Sequence, residues 1–427
     1  MIFYSHFVYN INCMIFKSMR DAASLLLVLS VSFSGTVKGQ RVETGLEALI
    51  NENFSSLKGK RVGLITNPTG VDSELRSVID ILHGSEECSL VALYSPEHGI
   101  RGEFTAGETV GGSKDPVTGL PVYSLYGKTR KPLPEMLKGI DVLVYDVQDI
   151  GSRSYTYIST LGLAMEAAAE NGIDFIVLDR PNPLGGIRME GALTLPAFTS
   201  FVSQFPIPYI HGMTVGELAL FLNGEKLLKD GIQCRVKVIR MTGWSRDMIW
   251  DDTKLPWVPS SPHIPHAVSA YFYPATGIFG ELYTASIGVG YTLPFQLFAS
   301  EWFDADSLAN NLNALRLPGI IFRPIHYKPY YSVSTGKVVN GVQIHLTDPK
   351  RAPLSLIQFY IMQEAHKLWP GRNIFEMCEK SRLSMFDKVC GTDQVRLVFT
   401  KTYTVDSILG LWNDEIPEFR ERAKRYF

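Results

Sequence analysis

From about residue 60 the chain repeats one pattern of apolar and polar positions: a short unbroken apolar run, a polar or Gly/Pro-rich loop, then a stretch with helical spacing. The runs are 61–66, 90–94, 141–145 and 175–178. Val, Ile and Leu without alternation suit strands covered on both faces, as in a parallel sheet, and 73–82 and 160–171 read as crossover helices. The pattern predicts a doubly wound α/β domain over residues 40–295. Beyond 296 the texture changes to helical spacing around 307–315, a strand at 341–346 and a helix at 354–368, which predicts a smaller α+β C-terminal domain over 296–427. The charged, amphipathic end, 412–427, reads as a helix docking on that second domain.

The N-terminus carries a different signal. Lys17 and Arg20 precede an apolar run at 22–33, and Val37 and Gly39 supply small-residue positions before a cleavage ahead of Gln40, so 1–39 read as a secretory signal peptide. Met14 or Met19 would open a more usual signal of this kind. The run is shorter than the roughly 20 apolar residues of a membrane span, so no retained span is expected; the mature protein is expected in the periplasm. With the signal, the cations Lys17, Arg20 and Lys38 leave together with one anion, Asp21, and the formal charge moves from −2 to −4. A mildly acidic surface disfavours nucleic acid as a partner. Cys88, Cys234, Cys378 and Cys390 are scattered and form no metal or redox motif.

In open parallel sheets ligands bind beyond the carboxyl ends of the strands, and the loops there are rich in polar groups. They read Ser95-Pro96-Glu97-His98-Gly99-Ile100-Arg101-Gly102, Asp146-Val147-Gln148-Asp149-Ile150-Gly151-Ser152-Arg153-Ser154-Tyr155 and Asp179-Arg180-Pro181-Asn182-Pro183. Carboxylates interleaved with Arg101, Arg153 and Arg180 suit a polyhydroxylated, anionic ligand such as a sugar acid. Glycosidic hydrolysis commonly needs one carboxylic acid to protonate the leaving oxygen and a second group to stabilise or attack the anomeric carbon. The first strand leads into Asn67-Pro68-Thr69-Gly70, which matches neither G-x-G-x-x-G nor a phosphate loop, and there is no Gly-x-Ser-x-Gly. Nucleotide and serine-esterase chemistry are thereby disfavoured. His263-Ile264-Pro265-His266 lacks nearby acidic ligands and makes a poor metal site.

These loops, with Gly63-Leu64-Ile65-Thr66-Asn67-Pro68-Thr69-Gly70 before them and His211-Gly212-Met213-Thr214-Val215-Gly216-Glu217 after, closely resemble the exo-β-N-acetylmuramidase family, long catalogued as a domain of unknown function. The resemblance covers essentially the whole mature chain. It implies a Rossmann-like N-terminal domain, a smaller C-terminal domain, and release of terminal N-acetylmuramic acid from cell-wall saccharides without a metal or nucleotide cofactor. The chain departs from the family's pattern near Tyr273-Pro274-Ala275-Thr276-Gly277-Ile278-Phe279-Gly280-Glu281, and has Gly288-Val289-Gly290 where many relatives have Gly-Arg-Gly.

On this reading Glu97 is the expected general acid, in a tight loop set by Pro96 and Gly99. Asp146 and Asp149 are the companion carboxylates, acting on the substrate or capping the helix that follows. Arg101 and Arg153, with Arg180, are candidates for the lactyl carboxylate; His98, His211, Gln148 and Asn182 for sugar hydroxyl or amide groups; Trp257 for stacking; Glu281 as a reserve carboxylate. Tyr155, Tyr157 and Tyr273 are further stacking candidates. Peptidoglycan fragments are the expected partners. Two rivals stand beside this reading: a non-catalytic muropeptide-binding protein, and an amidase or esterase acting on the same fragments.

Overall fold

The computed structural model describes residues 41–102 and 113–427. The expected signal segment lies outside the described residues. The four apolar runs are strands, and the strands described are β1 (Arg61–Thr66), β2 (Ser89–Ser95), β3 (Ser113–Lys114), β4 (Pro121–Ser124), β5 (Val142–Asp146), β6 (Asp174–Leu178), β7 (Val236–Ile239), β8 (Leu297–Ser300), β9 (Ile320–Tyr327) and β10 (Val339–Leu346). The first seven form one sheet in the order β3-β4-β2-β1-β5-β6-β7. All pairs are parallel except β3 with β4 at one edge.

Both faces are covered, as the unbroken apolar runs require. The helices Tyr157–Glu170 and Val215–Gly224 pack Leu161, Met165, Leu218 and Phe221 on one face. Gly45–Asn51 and Val78–His83 pack Leu46, Leu49, Val78 and Leu82 on the other. The first crossover helix is shorter than the 73–82 expected. Asp72 Oδ1 accepts from the backbone N–H of Glu74 and Arg76, holding that stretch in a side-chain-stabilised turn, and the helix starts only where Ser77 caps it.

The smaller antiparallel sheet has the order β8-β10-β9, with β10 paired to both neighbours. Helices Ala305–Ala314 and Ile357–Leu368 share its core with Phe298, Phe322 and Val342. The helix Ala267–Gly280 joins that core from earlier in the chain, with the Phe279 and Phe298 rings 4.0 Å apart. Its internal Pro274 is bridged from outside: the buried Gln358 donates to Pro274 O and accepts from Phe279 N–H. The C-terminal helix corrects one expectation. Trp412 does pack on the second core, 5.4 Å from Phe359, but Phe419 and Tyr426 pack on Phe221 of the large-sheet layer. An amphipathic pattern shows that a face must be buried, not which partner buries it.

Two buried polar groups fasten these layers. Arg153 is fully buried, and its guanidinium donates to Ala192 O at 2.6 Å, Ile207 O at 2.5 Å and Val389 O at 2.9 Å, with Nε donating to Ser203 Oγ at 3.1 Å. Burial without a carboxylate partner pulls its pKa down to about 10. Asp179, just after β6, accepts from Gly216 N–H, Arg180 N–H and the Thr214 hydroxyl, and so caps the helix Val215–Gly224. Burial pushes its carboxyl up to about 7 against the pull of these donors.

Each strut generates a prediction. Arg153→Met leaves buried carbonyls at 192, 207 and 389 without a donor, and urea denaturation should show a loss of about 3 kcal/mol or more. A loss below about 1 kcal/mol would contradict this role. For Asp179, the unfolded carboxyl titrates near 4 and the folded one near 7, so the folded state holds its proton longer. Its contribution to stability is complete below about pH 4 and is lost as pH rises through about 7. Relative to Asp179→Asn, the wild-type chain should therefore lose stability across that window; parallel stability profiles would refute the assignment.

Candidate active site

The topological switch of the large sheet falls between β1 and β5, whose ends meet at Thr66 and Asp146. Directly beyond them the space is nearly closed: about 20 Å³ remains among Thr69, Gln148, Arg180 and Trp257, little more than one water occupies. The roomy cavity, about 400 Å³, opens beside it, lined by the loops after β2 and β5.

Glu97 and His98 come from the β2 loop, where positive φ at His98 (77°) and Gly99 (85°) turns the chain sharply. Ser154, Tyr155, Thr156 and Tyr157 come from the β5 loop. The facing wall is the helix Ala267–Gly280 through Tyr273, Gly277 and Gly280, followed by Glu281 and Tyr283. His263 and the β9–β10 connection, through Ser332 and Val333, complete the rim. His263 Nε2 and Tyr331 Oη lie 2.8 Å apart, joining those two rim segments.

The walls are tied by tyrosine hydroxyls. Tyr157 donates to Ser260 O at 2.5 Å, Tyr155 Oη lies 2.8 Å from Ser260 Oγ, and Tyr273 Oη lies 3.1 Å from Ser154 Oγ. Glu97 is half-buried and accepts from the Thr156 hydroxyl at 3.4 Å. Burial, reinforced by the charge of Glu97, pushes the Tyr126 hydroxyl up to about 12, which keeps it a proton donor beside that carboxylate. Glu281 stands on the other wall, where burial raises its pKa and only the charge of Arg382 opposes the rise. The two carboxylates have separate surroundings: Glu97 acts on Tyr126, Tyr155 and Tyr157, Glu281 on Tyr209 and Tyr273. One cavity thus holds two carboxyl groups on separate walls, an arrangement suited to acid–base work.

Of the residues singled out from sequence, the structure brings Glu97, His98 and Glu281 into this cavity, together with Tyr155, Tyr157 and Tyr273. The others lie elsewhere. Asp146 is buried in a two-pronged ion pair with Arg180, at 2.5 and 3.0 Å. Asp149 accepts from Gly151 N–H and from His211 Nε2; His211 Nδ1 accepts from Met213 N–H, which fixes its tautomer. Gly151 (φ 83°) has no room for a Cβ beside Asn182 Oδ1, so this turn admits only glycine. Gln148 donates to Asp149 O and Pro181 O, and Asn182 bridges Met213 O and Leu184 N–H. Arg101 is gripped by Asp115 at 2.7 and 3.0 Å and reaches Asp80. Arg153 sits in the core, and Trp257 packs edge-on to Trp250 at the narrow gap. The loops after the strands thus supply both the cavity and the bolts that hold it.

Sequence reasoning missed Tyr126, Ser261, Tyr283 and the tip at 332–333, and met His263 only as a metal candidate. Gly277 and Gly280, one turn apart on an otherwise apolar helix, were a legible sign of an open face. The hairpin tip carried no local signal. Among the described residues no group of three His, Cys, Asp or Glu side chains is placed to hold a metal, and no helix is long and apolar enough to cross a membrane.

Residues 62–268 match the family model for the N-terminal part of exo-β-N-acetylmuramidase NamZ, and residues 271–427 match its C-terminal part. The peptidoglycan β-N-acetylmuramidase NamZ of Bacillus subtilis (strain 168) is 43% identical over 391 residues, 92% of each chain. A solved DUF1343 family protein from Bacteroides fragilis NCTC 9343 is 56% identical, with a TM-score of 0.87 over 91% of this chain and 98% of its own. A second from the same organism is 28% identical, with a TM-score of 0.72 over 91% and 99%. With both of its parts matched in order and nearly the whole described length covered, the chain belongs to the exo-β-N-acetylmuramidase NamZ family.

Proposed function

We propose that this protein is a glycosidase that releases N-acetylmuramic acid from the non-reducing end of peptidoglycan-derived saccharides, in cell-wall turnover and recycling. The observation that carries the reading is one cavity with two carboxyl groups on separate walls, in a chain 43% identical to a peptidoglycan β-N-acetylmuramidase. Its volume, about 400 Å³, is in the range of small-molecule sites and suits a substituted sugar. Glu97 is the general acid: as the bond between the anomeric carbon and the bridging oxygen breaks, its proton passes to that oxygen. The tyrosine-rich walls offer ring faces to the sugar and hydroxyls to its substituents. The 2-acetamido group of the substrate supplies a carbonyl oxygen able to stabilise the anomeric carbon until water adds there.

Export to the periplasm belongs to the same proposal. It is supported by the apolar run at 22–33 behind Lys17 and Arg20, and N-terminal sequencing of the mature protein tests it, with Gln40 as the expected first residue.

Two predictions follow from the cavity. Incubated with N-acetylmuramic acid linked to N-acetylglucosamine, residues 40–427 should yield both free sugars by mass spectrometry, and Glu97→Gln should reduce the rate about 10²-fold or more while retaining binding. A wild-type chain that binds the disaccharide and leaves it intact would instead be a muropeptide-binding protein. At Gly277 an added Cβ would meet only ordinary contacts, 3.4 Å from Tyr209 Oη and 3.8 Å from the Tyr273 ring. Gly277→Ala should therefore raise helix stability by up to ~1 kcal/mol and raise KM by narrowing the cavity; an unchanged KM would show that the sugar does not reach this wall.

A further inference from the structure

The cavity presents two carboxylates and two histidines, and its described lining includes no arginine or lysine. On the reading just proposed, the substrate brings a lactyl carboxylate, which such a cavity repels unless a cation stands beside it. The arginines after the strands are committed elsewhere: Arg101 to Asp115, Arg180 to Asp146, and Arg153 to core carbonyls. Two other guanidinium groups flank the cavity, and among the described residues neither forms an ion pair. Arg130 stacks on Phe201 at 4.5 Å and acts on Tyr126, on the Glu97 side. Arg382, half-buried at the start of the helix Lys380–Cys390, lies 3.8 Å over the ring of Tyr283, a cavity residue, and its charge acts on Glu281.

The substrate's shape selects between them. The bridging oxygen on C1 must meet Glu97, and the lactyl group on C3 projects from beyond the acetamido-bearing C2, away from that oxygen. With Glu97 on one wall, the lactyl carboxylate faces the wall of Glu281 and Tyr283. A guanidinium held over an aromatic ring face by its central carbon still has N–H groups for a two-pronged grip on a carboxylate. We infer that Arg382 receives the lactyl carboxylate and so determines specificity for N-acetylmuramic acid over sugars that lack it. The inference rests on the proposed function for its ligand.

The test uses aryl glycosides of N-acetylmuramic acid and of its lactyl carboxamide, which differ only in the charge in question, with wild type, Arg382→Ala, Arg382→Lys and Arg130→Ala. The expected result is a wild-type preference for the acid, expressed in KM. Arg382→Ala should raise KM for the acid about tenfold or more and erase the preference; Arg382→Lys should restore part of it, and Arg130→Ala should keep it. Calorimetric titration of the free acid and its carboxamide into the same proteins reads the preference without turnover, so failure of hydrolysis and failure of Arg382 are told apart. Preference retained in Arg382→Ala, absent from the wild type, or lost in Arg130→Ala instead would overturn the assignment.

Discussion

The buried guanidinium of Arg153 is the constraint on which the cavity depends. It stands immediately before Ser154, Tyr155, Thr156 and Tyr157, which form one wall, and it is held by backbone carbonyls from three separate segments. A planar group with donors in fixed directions fits one arrangement of those carbonyls, so segments at 192, 207 and 389 are set relative to the β5 loop. Val389 lies in the same helix as Arg382, so the strut also sets the place of the helix that carries the proposed carboxylate receptor.

Charge is distributed along the same lines. The polar groups nearest the switch point are matched to one another: Asp146 with Arg180, Asp149 with His211, Asp179 with the start of the helix Val215–Gly224. Buried charges persist only with such partners, and their bonds hold the loop ends rigid. Glu97 and Glu281 are left at the surface of the cavity. The resulting division sets matched groups beneath and the two cavity carboxyls above, with the lower layer holding the upper one in place.

The second wall comes from a different layer. The helix Ala267–Gly280 packs Ile278 and Phe279 into the core of the smaller sheet and turns its glycine-bearing face to the cavity. Gln358 donates to Pro274 O and accepts from Phe279 N–H, tying this helix to the helix Ile357–Leu368 just before Glu281. The cavity therefore lies between the loop after β2, which brings Glu97, and this helix, which leads into Glu281.

The sequence by itself determined the large sheet. Unbroken apolar runs such as 142–145 have no stable place except a strand covered on both sides, and the polar loops that follow must gather at one edge. It also placed Glu97 and His98 at the carboxyl edge of that sheet, since they follow β2 directly. Only the tertiary structure decided which polar side chains face the cavity. Arg101, Arg153 and Arg180 look alike in sequence, yet Asp115, core carbonyls and Asp146 claim them, and the residues that do so lie 14, 39 to 236, and 34 positions away. A side chain on a loop turns toward the partner that best repays its desolvation. That partner is set by tertiary packing, which local spacing does not encode, and for the same reason Tyr283 and Arg382, about a hundred positions apart, became neighbours only when the helix Lys380–Cys390 packed on the helix Ala267–Gly280.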